Sequence, residues 1–289
     1  MYKYILLILL LGIYQSMYAF EEGYSDNNGV KIYYRDYGPV DADPIILVQG
    51  LGGQLTQWPD NLIDLLKDNN FRPIVYDNRD IGLSTKFQGS PNYTTDYVKY
   101  IFRLPLKSEY SIDDMGLDGI SVLDTLNIKS AHLLGMSMGG MIAQIIAANH
   151  PERVKSFTLI ASTAATPSPF NSPTREVRNL ILDRSITKNA SYEDRYQRAV
   201  ELIKVIGMEG YEFDTPEFKE QAIENMKRSK DDTGFSRQLL AILASKNRFK
   251  KIQSINTPTL IVHGEDDPLL KVKNAHKMHK LIPASELII

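Results

Sequence analysis

Cysteine is absent from all 289 residues, which rules out a disulfide framework, a thiolate metal site, lipid attachment through a cysteine and a thiol nucleophile. Charge of either sign is not in excess: 33 Lys and Arg face 35 Asp and Glu, for a formal net charge of −2. No basic stripe or lysine run is present to meet a phosphate backbone, so nucleic acid is excluded as a partner. Internal repeats and low-complexity tracts are missing. Long apolar runs are scarce too, and the longest, Ile5 to Ile13, falls short of the ~20 residues that a spanning helix needs.

That run follows Lys3 and precedes Gln15, Ser16 and Ala19, the order of a basic region, an apolar region and a small-residue cleavage site. Residues 1–19 are therefore expected to be a signal peptide and the mature chain secreted or periplasmic. Tyr14, Met17, Tyr18 and Phe20 extend the apolar stretch, which leaves membrane anchoring by an uncleaved segment as the alternative. After cleavage no stable membrane span is expected. With 43% hydrophobic residues, the remainder can bury one α/β core carrying an insertion.

Strand-like runs occur at Val30 to Tyr37, Pro44 to Gln49, Pro73 to Tyr76, Ala131 to Leu134, Val154 to Ile160 and Pro258 to Val262. Helical patterns separate most of them, which predicts a mainly parallel sheet with helices on both faces. Ser111, Ile112, Asp113 and Asp114 resemble a capping box and open a helix expected to turn Met115, Leu117, Ile120, Val122 and Leu123 to the core. A second helix is expected over Gly139 to Asn149. From Thr166 to Ile252 the character changes, with Pro167, Pro169, Pro173 and many charges among helical patterns. Residues 166–252 are expected to form a helical lid that splits the core into 20–165 and 253–289.

Leu133 to Gly140 read LLGMSMGG, in which Gly135, Ser137 and Gly139 form a G-x-S-x-G nucleophile elbow. The five-letter pattern alone would match by chance in about one chain in ten of this length. Its context is an apolar run ahead, small residues behind, and an earlier strand, Pro44 to Gln49, that ends in Gly50, Leu51, Gly52 and Gly53. The N–H groups of Leu51 and Met138 are the expected oxyanion hole, each worth about 3 to 4 kcal/mol in a tetrahedral transition state. The first glycine cluster can also be read as a dinucleotide turn with Asp77 as the ribose acid. That reading fails where a third glycine is needed, since Leu55 stands there, and it leaves Ser137 unexplained. Tyr93, Tyr97, Tyr100, Phe102 and Tyr110 either line an aromatic entrance or pack a surface excursion.

The stretches VQGLGGQLTQWPD, YDNRDIGLSTKF, YSIDDMGLDGISVLDTLNI, GMSMGG, NHPERV and LIVHGEDDPLL resemble the α/β-hydrolase superfamily, and most of all the aclacinomycin-methylesterase-like serine hydrolases. The similarity runs from about Gly29 to Ile289. It implies an α/β-hydrolase fold with Ser137 as nucleophile, Asp267 of the G-x-x-D-P pattern as triad acid beside Asp266, and a structural part for His263. It implies hydrolysis of a small-molecule or lipid ester through an acyl-enzyme, with no cofactor and no metal. Gln49 stands where many relatives carry histidine and can still hydrogen-bond locally. The family's general base lies in a Gly-His loop after the last strand, whereas this chain ends at Leu287, Ile288 and Ile289 inside that expected strand.

No histidine of the chain takes that place. His132 is five residues behind Ser137, about 16 Å along a strand, and His150 is thirteen ahead, about 20 Å along a helix. His276 and His279 share a helix without a third metal ligand. The expectation is a truncated copy of a hydrolase with turnover reduced on the order of 10⁶-fold. The alternative is a non-catalytic protein binding a small molecule on the same scaffold.

Overall fold

Strand β1 (Glu21–Asn27) turns back into β2 (Val30–Asp36) through Asn28 and Gly29, whose φ values of 52° and 88° are the two positive angles that a two-residue hairpin turn requires. In the computed structural model, which describes residues 20–166, 173–182, 190–207, 210, 212, 214–229 and 233–289, this hairpin forms one edge of an eight-stranded sheet. The expected signal peptide, residues 1–19, lies outside the described residues, as do parts of the expected lid, Pro167 and Pro169 included.

The remaining strands are β3 (Asp43–Val48), β4 (Phe71–Tyr76), β5 (Ala131–Met136), β6 (Val154–Ile160), β7 (Thr259–Val262) and β8 (Ser285–Ile288). Their order is β1-β2-β4-β3-β5-β6-β7-β8. The first two joins, β1 to β2 and β2 to β4, are antiparallel and the rest parallel. This is the α/β-hydrolase fold. The six expected strand runs are all present. Strand β1 stands outside them because EEGYSDN offers almost no apolar alternation; it is held by seven register pairs with β2 and by buried Ser25, whose hydroxyl meets Ser121 Oγ at 2.8 Å.

Alternation along the strands builds two cores. Ile46 and Val48 of β3 point to one face with Ile74, Leu133 and Phe157. Ile45 and Leu47 point to the other with Val75, Leu134 and Trp58. The second face is covered by α1 (Asp60–Asp68), which lays Leu62, Ile63 and Leu66 on it. The first is covered by α3 (Ile112–Thr125) and α4 (Met138–Asn149); α2 (Tyr93–Ile101) precedes them.

The capping box at the start of α3 is formed: Ser111 Oγ accepts from Asp114 N at 3.1 Å and Asp114 Oδ2 accepts from Ser111 N at 2.7 Å. Met115, Ile120, Val122 and Leu123 are buried as expected, but Leu117 is exposed. Two residues are a 200° rotation on a helix, which turns Leu117 away from the Met115 side. Helix α4 is buried on every side from Met138 to Ala147, and Gly139 and Gly140 let it approach the sheet closely.

Between β6 and β7 the described residues form α5 (Arg175–Leu182), α6 (Tyr192–Ile206), α7 (Pro216–Arg228), α8 (Gly234–Ala244) and α9 (Phe249–Ile252). Helix α10 (Lys273–Leu281) then leads to β8. No helix among the described residues is long and apolar enough to cross a membrane. Strands β3, β5, β6 and β7 are mutually parallel, so their carboxyl ends release Gly50, Ser137, Ala161 and His263 at one edge of the sheet, where ligands of such sheets bind.

Candidate active site

Ser137 ends β5 with φ 53° and ψ −114°, a conformation that costs a non-glycine residue about 1–3 kcal/mol. The surroundings enforce it: Ser137 N donates to Ile160 O at 2.8 Å, and Ser137 O accepts from Ser162 Oγ at 2.8 Å and from Met141 N at 3.2 Å. The glycines on either side are steric necessities. A Cβ on Gly135 would sit 2.5 Å from Gly139 O, and one on Gly139 would sit 2.0 Å from Val48 O.

Gly50 lies alongside, where a Cβ would stand 3.4 Å from that of Ser137. The loop from Gly50 to Gly53 closes on itself through Gly53 N to Gly50 O at 3.1 Å. Neither Leu51 N–H nor Met138 N–H donates to an acceptor among the described residues, so both amides remain available beside the serine. Gln49 is buried and bonds locally, its Oε1 accepting from Gly50 N at 3.3 Å and its carbonyl from Asn78 Nδ2 at 3.0 Å.

Leu51 and Ser137 open on a cavity of about 200 Å³ whose walls include Tyr97, Tyr100, Met141, Leu239 and Leu269. Of the five aromatics of the Tyr93 to Tyr110 segment, Tyr97 and Tyr100 thus face the cavity. Tyr110 packs in the core against Phe87, with ring centroids 5.0 Å apart, and Phe102 faces solvent. The Tyr93 side chain lies outside the described residues.

Asp267 stands one loop behind that wall. Its Oδ1 accepts from Leu269 N and Leu270 N, both at 2.8 Å, and these two leucines line the cavity. Its Oδ2 lies 3.2 Å from His263 Nε2, which also faces Leu270 O. Burial works to raise the Asp267 pKa, and the bonds from His263, Leu270 and Leu269 outweigh it, so the carboxyl sits below its usual range. For His263, burial favours the neutral ring, but Asp267 and the Leu270 carbonyl prevail and raise its pKa. Asp266 is exposed; Asp267 alone is held.

The other histidines are elsewhere. His132 bonds Ser156 Oγ at 2.7 Å and Asp43 at 3.1 Å near the start of β5. His150 faces Glu152 at 4.0 Å past the end of α4, and His279 meets Ser285 Oγ at 2.9 Å. Among the described residues no histidine lines the cavity and no group of three or more His, Asp or Glu could hold a metal ion.

The sequence motifs give no hint of what anchors the Gly50–Gly53 loop. Gln238 of α8, fully buried, accepts from Gly52 N through Oε1 at 2.9 Å and donates from Nε2 to Arg79 O at 2.8 Å. The neighbouring Arg237 grips Asp80 with two bonds of 2.9 and 2.8 Å. Arg228 of α7 pairs with Asp77 at 2.7 Å and donates to Gln54 Oε1 at 2.8 Å. Asp77 also accepts from Leu55 N and Leu83 N; its carboxylate is occupied and fully buried, which leaves no place for a ribose.

A family model described as the alpha/beta hydrolase fold matches residues 43–289. Rhodomycin D methylesterase DnrP of Streptomyces peucetius is 24% identical over 279 residues, which cover 91% of this chain and 88% of that one. The 3-oxoadipate enol-lactonase 2 of Acinetobacter baylyi is 26% identical over 259 residues, covering 89% and 84%. A thermophilic esterase from Thermogutta terrifontis has the same fold, with a TM-score of 0.68 at 21% identity over 92% of this chain and 88% of that one. The strained serine, the glycines that admit it and a family match extending from β3 to the last residue agree, and the chain belongs to the α/β hydrolase fold family.

Proposed function

We propose that the protein is a serine hydrolase acting on carboxylic esters of a small molecule or lipid. Ser137 Oγ attacks the ester carbonyl carbon, and the oxygen of the tetrahedral intermediate takes hydrogen bonds from Leu51 N and Met138 N. Collapse expels the alcohol and leaves an acyl-Ser137, which water then hydrolyses to the acid. Asp267 is assigned as the orienting acid for a histidine base, which would take the Ser137 proton and pass it to the leaving alcohol; no histidine among the described residues lines the cavity. The helices from 166 to 252 act as a lid over the apolar cavity, and residues 1–19 direct export. The observation that carries this reading is the strained, half-buried serine that lines the cavity beside two amides without acceptors among the described residues.

A fluorophosphonate probe followed by peptide mass spectrometry tests it. The expected outcome is a covalent adduct on Ser137 that forms slowly, without such a base among the described residues of the cavity wall, and that is absent in Ser137→Ala. Because no histidine among the described residues lines the cavity, turnover by these residues alone is expected to fall far below that of a complete triad, on the order of 10⁶-fold. The same observation favours a second reading, a non-catalytic protein that binds a small molecule in this cavity. Saturable ligand binding with no adduct on Ser137 selects it.

A further inference from the structure

Among the described residues, five of the thirteen exposed large apolar side chains fall within the eight positions from 97 to 104: Tyr97 at 43%, Val98 at 48%, Ile101 at 41%, Phe102 at 72% and Leu104 at 53% exposure. Along α2, positions 97, 98, 101 and 102 span one continuous arc of about 140° at 100° per residue. Tyr97 belongs both to this arc and to the wall of the Ser137 cavity, and Tyr100, on the flank of the helix beyond it, lines the same cavity. The exposed arc therefore begins at the cavity mouth and runs outward.

The end of the helix holds this surface in place. Arg103 takes φ 55°, its N–H donates to Tyr100 O at 3.1 Å, and Leu104 N reaches back to Lys99 O at 2.8 Å. Such a turn ordinarily folds the following apolar side chain onto the helix, yet here both Leu104 and Phe102 project into solvent. The stretch that carries them is basic: from Tyr97 to Ser108 the sequence has Lys99, Arg103 and Lys107 and no acid, with Asp96 and Glu109 at its borders, although the whole chain is net negative.

We propose that Tyr97 to Leu104 is a docking face for the surface of an anionic phospholipid bilayer. Phe102 and Leu104 enter the headgroup layer, Lys99 and Lys107 meet the lipid phosphates, and a lipid ester reaches Ser137 along the Tyr97 side of α2. Protruding apolar side chains joined to basic ones are the combination that interfacial binding requires. The lipid substrate class rests on the serine hydrolase reading; the docking itself does not.

The test uses the full chain carrying Phe102→Trp, whose introduced indole reports on that position alone, with the parent chain and its single, buried Trp58 as control. Vesicles of phosphatidylcholine and phosphatidylglycerol containing brominated phosphatidylcholine are expected to quench the introduced indole and shift its emission to the blue, leaving Trp58 unaffected. Replacing Lys99 and Lys107 by Gln is expected to weaken vesicle binding about fivefold per charge removed. Phe102→Asp with Leu104→Asp is expected to abolish the contact. Vesicle binding without quenching of the introduced indole would overturn the proposal, as would a dimer of the parent chain that the Asp variants dissociate, which would show that a second copy covers this face. Quenching retained in a Ser137→Ala background separates docking from catalysis. A Ser137 adduct without quenching leaves the hydrolase reading intact and removes this one.

Discussion

The two sides of the Ser137 site are secured by opposite means. The Gly50–Gly53 loop hangs on side chains far away in sequence: Gln238 is 186 residues from Gly52, and Arg237 is 157 from Asp80. The Asp267 carboxylate is held by its own neighbours, with His263, Leu269 and Leu270 all within four residues of it, although the loop as a whole also receives Thr174 N at Pro268 O, 2.9 Å away. The carboxylate itself takes no bond from α7 or α8. The Gly50–Gly53 side takes its long-range bonds only when α7 and α8 have docked, so in the proposed hydrolase a substrate-facing lid and the amide of Leu51 would share one set of contacts.

The contrast is broken most severely at Arg237. Arg237→Met leaves Asp80 buried without its partner, and a cost of about 3–5 kcal/mol is expected in urea unfolding followed by circular dichroism. A cost below about 1 kcal/mol would mean that α8 is not fastened there. Gln238→Leu keeps the volume but strands Gly52 N and Arg79 O, for a loss of about 1–3 kcal/mol per buried group. Its diagnostic effect is on chemistry: fluorophosphonate labelling of Ser137 is expected to slow more than about tenfold, since a displaced donor weakens oxyanion stabilisation. Labelling at the parent rate in a folded variant would show that the loop keeps its shape unaided.

Asp267→Asn sharpens the contrast from the other side. Among the described residues no histidine lines the cavity wall, so for these residues alone a carboxylate that acts by orienting one has nothing to orient, and labelling should change by less than about twofold. A tenfold loss would put Asp267 in direct contact with the reaction.

The smallest effect is a pH dependence. The lowered Asp267 pKa makes its contribution to stability present above the ordinary carboxyl value and lost as pH falls through the lowered one. The raised His263 pKa makes its contribution full below the ordinary imidazole value and lost as pH rises through the raised one. Both act together between roughly pH 4 and 6.5. The melting temperature of the parent should therefore exceed that of His263→Gln by the most near pH 5, on the order of 2–4 °C, and by less at pH 8. A gap that widens steadily with pH would contradict this.

What could be read from the sequence was whatever has a local signature. Elbow, glycine loop and acid loop each occupy fewer than ten consecutive residues, and the box at Ser111 spans four. Arg228, Arg237 and Gln238 were illegible because, on amphipathic helices, such residues look like a solvated face until the fold brings Asp77, Asp80 and Gly52 beneath them. The aromatic segment shows the same limit: spacing puts Tyr97 and Tyr100 near one another on a helix, but only packing decides that they face the cavity while Phe102 faces water. Strand β1 did leave a trace, the Asn28-Gly29 pair, which is hairpin turn chemistry that its polar flanks obscure.

The single bond between Gln238 and the Gly52 amide makes inhibition and proteolysis two readings of one equilibrium. If the Leu51 amide serves as proposed, a boronate that fills the oxyanion position binds more tightly when α8 is seated, and by reciprocity it holds α8 down by the same factor. A tight inhibitor would consequently protect peptide bonds around Gly234–Ala244 that it never touches.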